Sequence, residues 1–444
     1  MAVPVYRGPF GPEQAERLLW RAGFGPRPGE AQRLAAKGLR AAVFSLTRPT
    51  VSGLIGPAPH DGDGNPLAPI DAWGHDHAWW LDRMVRTRRP LVERMTLIWH
   101  DWFATSNDGV GSQRLMLRQN WLFRRRALGR FSGLLYAVTK DPAMLLWLSG
   151  TENTRWSPNE NYARELMELF TLGVDRGYTE RDVRQQARAL TGWANDWDDG
   201  IGHHNFRYEP EYHDPGYKTI FARVARFDWD DACRLCLRHR AHPSFFVRKL
   251  WSYFVPTPPS TTTRYALQRM YVANGYAVRP VVEAILRHPA LYRGPRMMKP
   301  PVVYTAGMLR ALGTGIDTDG WAWRNRMCGQ QLFYPPNVAG WQDDRWLDTS
   351  TFRGRWEVAN RALKPFALDT GSASEPYDAE TLVARALAFW KNPRVTAETR
   401  RALLGFAERA LATADQEWKR TSYPVLAQNA LRQLIAVSPD FQTC

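Results

Sequence analysis

The sequence predicts a mostly α protein: a large multi-helix domain with long irregular loops and at most a small β-hairpin. Three observations carry this expectation. Apolar residues recur at helical spacing from Asp76 to Leu172, through HAWWLDRMV, LVERMTLIWHDWF, QRLMLRQNWLFRRRAL, FSGLLYAVTKDPAMLLWL and ENYARELMELF. The stretch that abandons this spacing, residues 194–228, is short, and its HNFRYEPEY has room for a hairpin or an extended flap. No fixed-period repeat occurs, and no apolar run approaches the roughly 18 residues of a membrane span.

Taken in order, residues 12–48 read as two helices around the turn GFGPRPG, with Ala15, Leu18, Leu19 and Ala22 on one stripe. The Pro, Gly and Asp rich stretch 49–71 holds DGDGN, whose Asp61, Asp63 and Asn65 begin a calcium-loop pattern. Pro66 and Ala72 then occupy the places of the turn glycine and the bidentate glutamate, so a plain polar loop is expected. After the irregular 194–228 segment, helices resume at DDACRLCLRHR, PSFFVRKLWSYF, YALQRMYVANG, VVEAILRHPALY and VVYTAGMLRALG. A loop-rich passage, FYPPNVAGWQDDRWLDTSTF, precedes two or three C-terminal helices. The expected organisation is a main helical domain at 1–365, a linker at 366–377 and a C-terminal helical subdomain at 378–444 packed on the main domain.

Composition bounds the function classes. A chain of 444 residues with 44% hydrophobic and 23% charged residues buries a sizeable core. The formal net charge of +15, carried mainly by Arg, creates a field that attracts anionic substrates or polymers, although a solvated basic surface produces the same balance. Twenty Trp supply core volume and flat stacking faces. Four Cys in so long a chain make no disulfide scaffold and fit a reducing compartment. The opening MAVPVYRGPFGPEQ lacks a signal-peptide core, so the expected location is cytoplasmic, with export together with a partner as the other route.

Candidate chemistry concentrates between Asp141 and Trp193. In SPNENYARELMELF, Ser157 suits an N-cap, Pro158 the first helical position and Glu160 the capping-box position. Asn161, Arg164, Glu165 and Glu168 then recur at steps of three and four, sharing one polar face, while Tyr162, Leu166, Leu169 and Phe170 face away. Carboxylates three apart beside an Arg can hold a metal, act as acid and base, or form a surface ion-pair ladder. The polar company of Asn159, Asn161, Thr191 and Trp193 favours a site.

Other groups compete. HDPGYK places His213, Asp214 and Lys218 in one loop, and WHDWF places His100 and Asp101 on an aromatic helix where a packed His is the ordinary outcome. Cys233, Cys236, His239 and His242 repeat every three residues, a step that drifts about 60° per repeat around a helix and spoils a zinc set. Trp121, Phe123, Arg124, Arg125, Arg126 and Arg130 form a basic aromatic cluster that suits either an anionic polymer or a packed helix. GxSxG, P-loop, HExxH and dinucleotide fingerprints are absent from the sequence.

Together RAGFG, WHDWF, DPAMLLWL, PNENYARELMELFTLG, YTERDVRQQARALTGW, HDPGYK, HPSFFVRKLW, NVAGW, WLDTSTF and SPDFQ resemble the DUF1800 family over nearly the whole chain. The resemblance implies a largely helical fold and points to Asn159, Glu160, Asn161, Arg164, Glu165, Glu168, His213, Asp214, Lys218, Arg248 and Lys249. It also implies an association with DUF1501-type, sulfatase-like partner proteins and with acidic glycans. Two departures stand out: Asp101 and Trp102 replace the second half of the family's WHNHF, and Arg17 stands where many members carry His.

The resulting expectation is an enzyme, a hydrolase or lyase, acting on an anionic, carbohydrate-like substrate. Glu165, Glu168, His213 and Asp214 are the catalytic candidates. The same four with His100 are the candidate ligands of one divalent metal ion. Asn159, Asn161, Arg164, Lys218 and Trp193 are the candidate substrate-binding residues. The alternative is a non-catalytic binding or assembly protein with an Arg and Trp surface. Nucleic-acid binding is the third reading.

Overall fold

The computed structural model describes residues 2–370 and 378–444. Most of the expected linker, 371–377, lies outside the described residues. The fold is mostly α: 23 α-helices among the described residues, with two small antiparallel two-stranded sheets. One is the expected hairpin, Trp193–Asp198 paired with Gly202–Tyr208. The other, Lys218–Ile220 with Arg223–Ala225, was not expected from the sequence. No helix among the described residues is long and apolar enough to cross a membrane.

The N-terminal stretch forms three helices instead of two, Pro12–Arg21, Glu30–Ala35 and Gly38–Thr47. The extra break falls where Gly38 adopts a left-handed φ of 72° that a continuing helix does not allow. The stripe of Ala15, Leu18, Leu19 and Ala22 is buried, as the spacing predicts.

Two hydrophobic clusters organise the molecule. The first gathers helices between Pro12 and Arg293 around Trp99, Trp102, Phe103, Phe131, Phe170 and Phe246. The second joins His75–Arg86, Pro301–Leu312 and Thr349–Leu363 to the helices Ala379–Phe389, Ala397–Ala412 and Glu417–Val437. Arg355, fully buried, ties this second region by donating to the carbonyls of Trp346 and Lys299 and to Gln442 Oε1. Between the clusters runs Pro90–Trp102, every residue of which from Pro90 to His100 is buried. This central helix carries Asp101 near its C-terminal end.

Candidate acid–base site

The helix of the ELMEL motif starts later than its capping signals predict. Asn153 Oδ1 accepts from Asn159 N at 2.9 Å and Asn159 Oδ1 accepts from Asn161 N at 2.9 Å, holding 157–160 out of helical geometry. The α-helix then spans only Asn161–Glu165 and widens into a π-helix at Leu166–Thr171, where Leu172 N reaches Met167 O at 2.8 Å. Such widened turns recur at functional sites because they re-aim side chains and displace carbonyls from the regular ladder. Three side chains from elsewhere take the terminal carbonyls. Lys249 Nζ donates to Leu169 O at 3.0 Å, Trp102 Nε1 to Phe170 O at 3.1 Å, and His242 Nδ1 to Thr171 O at 2.9 Å.

This geometry separates the two carboxylates. Glu168 joins a ladder through Arg164, which also grips Glu160 and, on the next helix, Glu180. Glu165 is half-buried and makes no hydrogen bond among the described residues. Burial, and next the charge of Glu168, pushes its carboxyl up to about 7 against the pull of Arg164 and Lys249. Burial likewise lowers Lys249 to about 8, resisted by Asp101 and Glu165. The ammonium stands 4.8 Å over the Trp102 ring.

Asp101 completes the cluster. Its Oδ2 accepts from Tyr253 OH at 2.6 Å and its Oδ1 from Trp341 N at 2.9 Å. The close approach of the NVAGW loop needs Gly340, whose φ is 98° and whose added Cβ would sit 2.4 Å from Asp101 Oδ1. Burial raises the Asp101 carboxyl and carries the Tyr253 hydroxyl well above its ordinary range. Arg94, 4% exposed, lies close enough to feel both, and its Nε and Nη1 have no partner. Burial thus holds Glu165, Lys249, Asp101 and Tyr253 all toward their neutral forms, an arrangement that can exchange protons.

The structure does not assemble the expected metal site. The charges acting on Glu165 are Glu168, Arg164 and Lys249, whereas those acting on Asp214 are Arg188 and Lys218. Among the described residues no three His, Cys, Asp or Glu side chains converge as metal ligands. His100 is also corrected: it is buried among the rings of Trp80, Phe123, Phe333 and Trp341, with Nε2 unpartnered and its pKa lowered to about 3. Among the described residues the donor set does not fit a divalent ion.

The HDPGYK loop is tied internally. Arg188 binds Asp214 through Nε at 2.6 Å and Nη2 at 3.2 Å, and Lys218, 1% exposed, donates to the carbonyls of Asp214 and Gly216. His213 Nδ1 faces Thr191 O at 3.0 Å, while Thr191 Oγ1 accepts from Asp214 N at 2.8 Å. Asp214→Ala is therefore expected to open residues 213–218, at a cost of about 1–3 kcal/mol, with faster amide exchange there and no change at Glu165. Unaltered exchange in that loop would contradict the tethering role.

The expected substrate-binding residues need similar correction. Arg164 is committed to three carboxylates and Lys218 to backbone carbonyls. Trp193 is 8% exposed and packs on Tyr208 and Trp229 at the hairpin base. Asn159 shapes the helix start, and Asn161 is exposed beside it. Of the basic aromatic cluster, Phe123 is core and Arg124 is locked by Glu93. The calcium-like loop is organised by Asp61 Oδ1 accepting from the amides of Asp63 and Asn65. Cys233 and Cys236 are buried, and His242 is bonded to Thr171 O and Tyr271 OH.

Sequence reasoning missed Tyr253, Arg94 and Gly340, named Asp101 only beside His100 as a competing candidate, and reached Lys249 only through resemblance. The one available signal was a carboxylate breaking the apolar WHDWF run. At the two departures, Trp102 caps the π-helix, and Arg17 donates to the carbonyls of Tyr292, Gly294 and Pro295. Among curated proteins and solved structures, nothing matches the chain. The family described as "Protein of unknown function (DUF1800)" matches residues 17–443, nearly the whole chain, and the protein belongs to it.

Proposed function

We propose that the protein is an enzyme, a hydrolase or lyase, that performs general acid–base chemistry on an anionic, carbohydrate-like substrate. Glu165 exchanges the proton, Lys249 meets the substrate anion, and the Asp101–Tyr253 pair positions Lys249. The observation that carries this reading is the half-buried Glu165 carboxyl, free of hydrogen bonds and raised to about 7 beside an ammonium lowered to about 8. Both groups then change charge near neutral pH, where a general acid or base works best. Maintaining such a pair costs stability, and the ordinary alternative for a half-buried carboxylate is a fixed partner.

The reading is tested by incubating the protein with acidic glycans, among them polygalacturonate. New reducing ends report hydrolysis, and ultraviolet absorbance of an unsaturated uronate reports elimination. Turnover that survives Glu165→Ala in folded protein, or no turnover of any acidic glycan, would sink it. Protein purified without chelator or affinity nickel is expected to carry substoichiometric metal by mass spectrometry. Stoichiometric metal lost on Glu165→Ala, Glu168→Ala would restore the metal-assisted alternative.

The bond from Lys249 to Leu169 O also supports a second reading, in which the polar cluster only secures the helical core of a binding or assembly protein, one that pairs with a DUF1501-type partner. That reading predicts a large melting-temperature loss in Lys249→Met with no substrate for the parent protein.

A further inference from the structure

The segment that follows the π-helix leads from Glu165 to a belt of arginines without acidic partners. A Cβ at Gly173 would lie 2.8 Å from Arg176 Cδ and 3.1 Å from Phe245, which shares the His242–Ser252 helix with Arg248 and Lys249. The Arg248 guanidinium feels Arg176 and Arg264 as like charges, and burial together with both of them lowers its pKa. Arg264 Nε is buried without a partner. At Gly177 the surface dips into a depression of about 280 Å³ lined by Arg223, Arg238, His239 and Arg240. Among the described residues none of Arg176, Arg223, Arg238, Arg240, Arg248 and Arg264 forms an ion pair.

Some arginines of this protein are held by carboxylates, as at Glu93, Asp214 and Glu283. Six unpaired guanidiniums on one continuous surface repel one another, and a polyanion laid across them relieves that repulsion while matching their planar forks. The belt has one large exposed ring, Tyr265, stacked by Arg264 at 5.3 Å. Single-stranded nucleic acid is gripped by several interleaved aromatic platforms, against the one ring, Tyr265, that stands beside these arginines among the described residues. A polymer whose repeating oxyanions supply the affinity is the better fit.

We propose that Arg176, Arg248 and Arg264, continued by Arg223, Arg238 and Arg240, form the subsite that binds the carboxylates of an acidic polysaccharide and feeds that chain to Glu165. This inference rests on the acid–base reading of Glu165 and supplies its substrate class. Arg248 comes one residue before Lys249 on the same helix, so the belt and the reactive pair share one rigid support.

The test is equilibrium binding by fluorescence anisotropy with labelled polygalacturonate, labelled dextran sulfate and labelled single-stranded DNA at rising salt. The parent protein is expected to bind polygalacturonate with an affinity that falls as salt rises. The triple exchange Arg176→Ala, Arg248→Ala, Arg264→Ala is expected to weaken binding by about tenfold or more and to flatten the salt dependence. Should the triple variant melt early, the single Arg248→Gln and Arg264→Gln exchanges carry the same test. No polygalacturonate binding, binding that the exchanges leave unaltered, or binding confined to dextran sulfate or DNA overturns the proposal. Binding is read without turnover, so the two readings fail separately. A Glu165→Gln protein that binds as the parent does, in a system with no glycan turnover, removes the enzyme and leaves the subsite.

Discussion

Glu93→Ala is expected to destabilise the fold by about 3–5 kcal/mol, the range for stripping one partner from a buried ion pair. Glu93, 3% exposed, accepts from Arg124 Nε at 2.6 Å and Nη2 at 2.8 Å, and Arg83 stands 3.6 Å away. Both guanidiniums are sandwiched with Trp79 and Trp121, each 4.6 Å from the Trp121 ring. Removing the carboxylate leaves two cations facing each other, of which Arg124 is buried and left without its partner. The joint exchange Glu93→Leu, Arg124→Met is expected to cost less than Glu93→Ala alone, because it removes the orphaned charge along with its partner. Denaturant unfolding of the single and double variants measures both effects. A Glu93→Ala loss below about 1 kcal/mol, the range of exposed pairs, would mean that this cluster is solvated.

Glu165→Gln is expected to abolish most turnover, by about 10²–10⁴-fold, while raising the melting temperature at pH 8. Its carboxyl is raised from 4.5 to about 7 on folding. Between those values the folded protein binds more protons than the unfolded chain, so stability falls as pH rises through the window and the penalty is complete above 7. Lys249 is lowered from 10.5 to about 8. Between 8 and 10.5 the unfolded chain binds more protons, so stability rises with pH there, and below 8 the lysine's penalty is present in full. Amidation of Glu165 lifts its share at pH 8 and little at pH 5, where the native carboxyl is already protonated. Turnover of the parent is expected to rise through about pH 7 and fall through about pH 8. In Glu165→Gln, Lys249 loses an opposing charge, so any residual activity turns off at lower pH. Equal melting shifts at pH 5 and pH 8 would contradict the assignment. A stabilising exchange that destroys function is the mark of strain retained for chemistry.

Much of the helical architecture is legible locally. The stripe of Ala15, Leu18, Leu19 and Ala22 is the buried face of the first helix, and the turn residues around 194–228 locate the hairpin. The ELMEL helix shows the limit of such reading. Spacings of four place Glu160 and Glu168 within reach of Arg164, but nothing in that periodicity says that Glu180 joins them or that Glu165 is left half-buried without a partner. The capping signals at Ser157 and Glu160 are overridden because Asn153 captures the backbone of Asn159.

By itself, then, the sequence determined the helix periods, the basic charge and the grouping of Arg164, Glu165 and Glu168 on one short helical segment, since each depends on nearby residues. Only the tertiary structure decided the partners. Glu180 arrives from the next helix to complete the ladder around Arg164, Glu165 stays outside that ladder, and Lys249 arrives 80 residues past Leu169 to take its carbonyl. Tyr253 reaches Asp101 across 152 residues. Burial, which moves the charges of Glu165 and Lys249 toward neutrality, is a property of everything packed around them and is written at no single position.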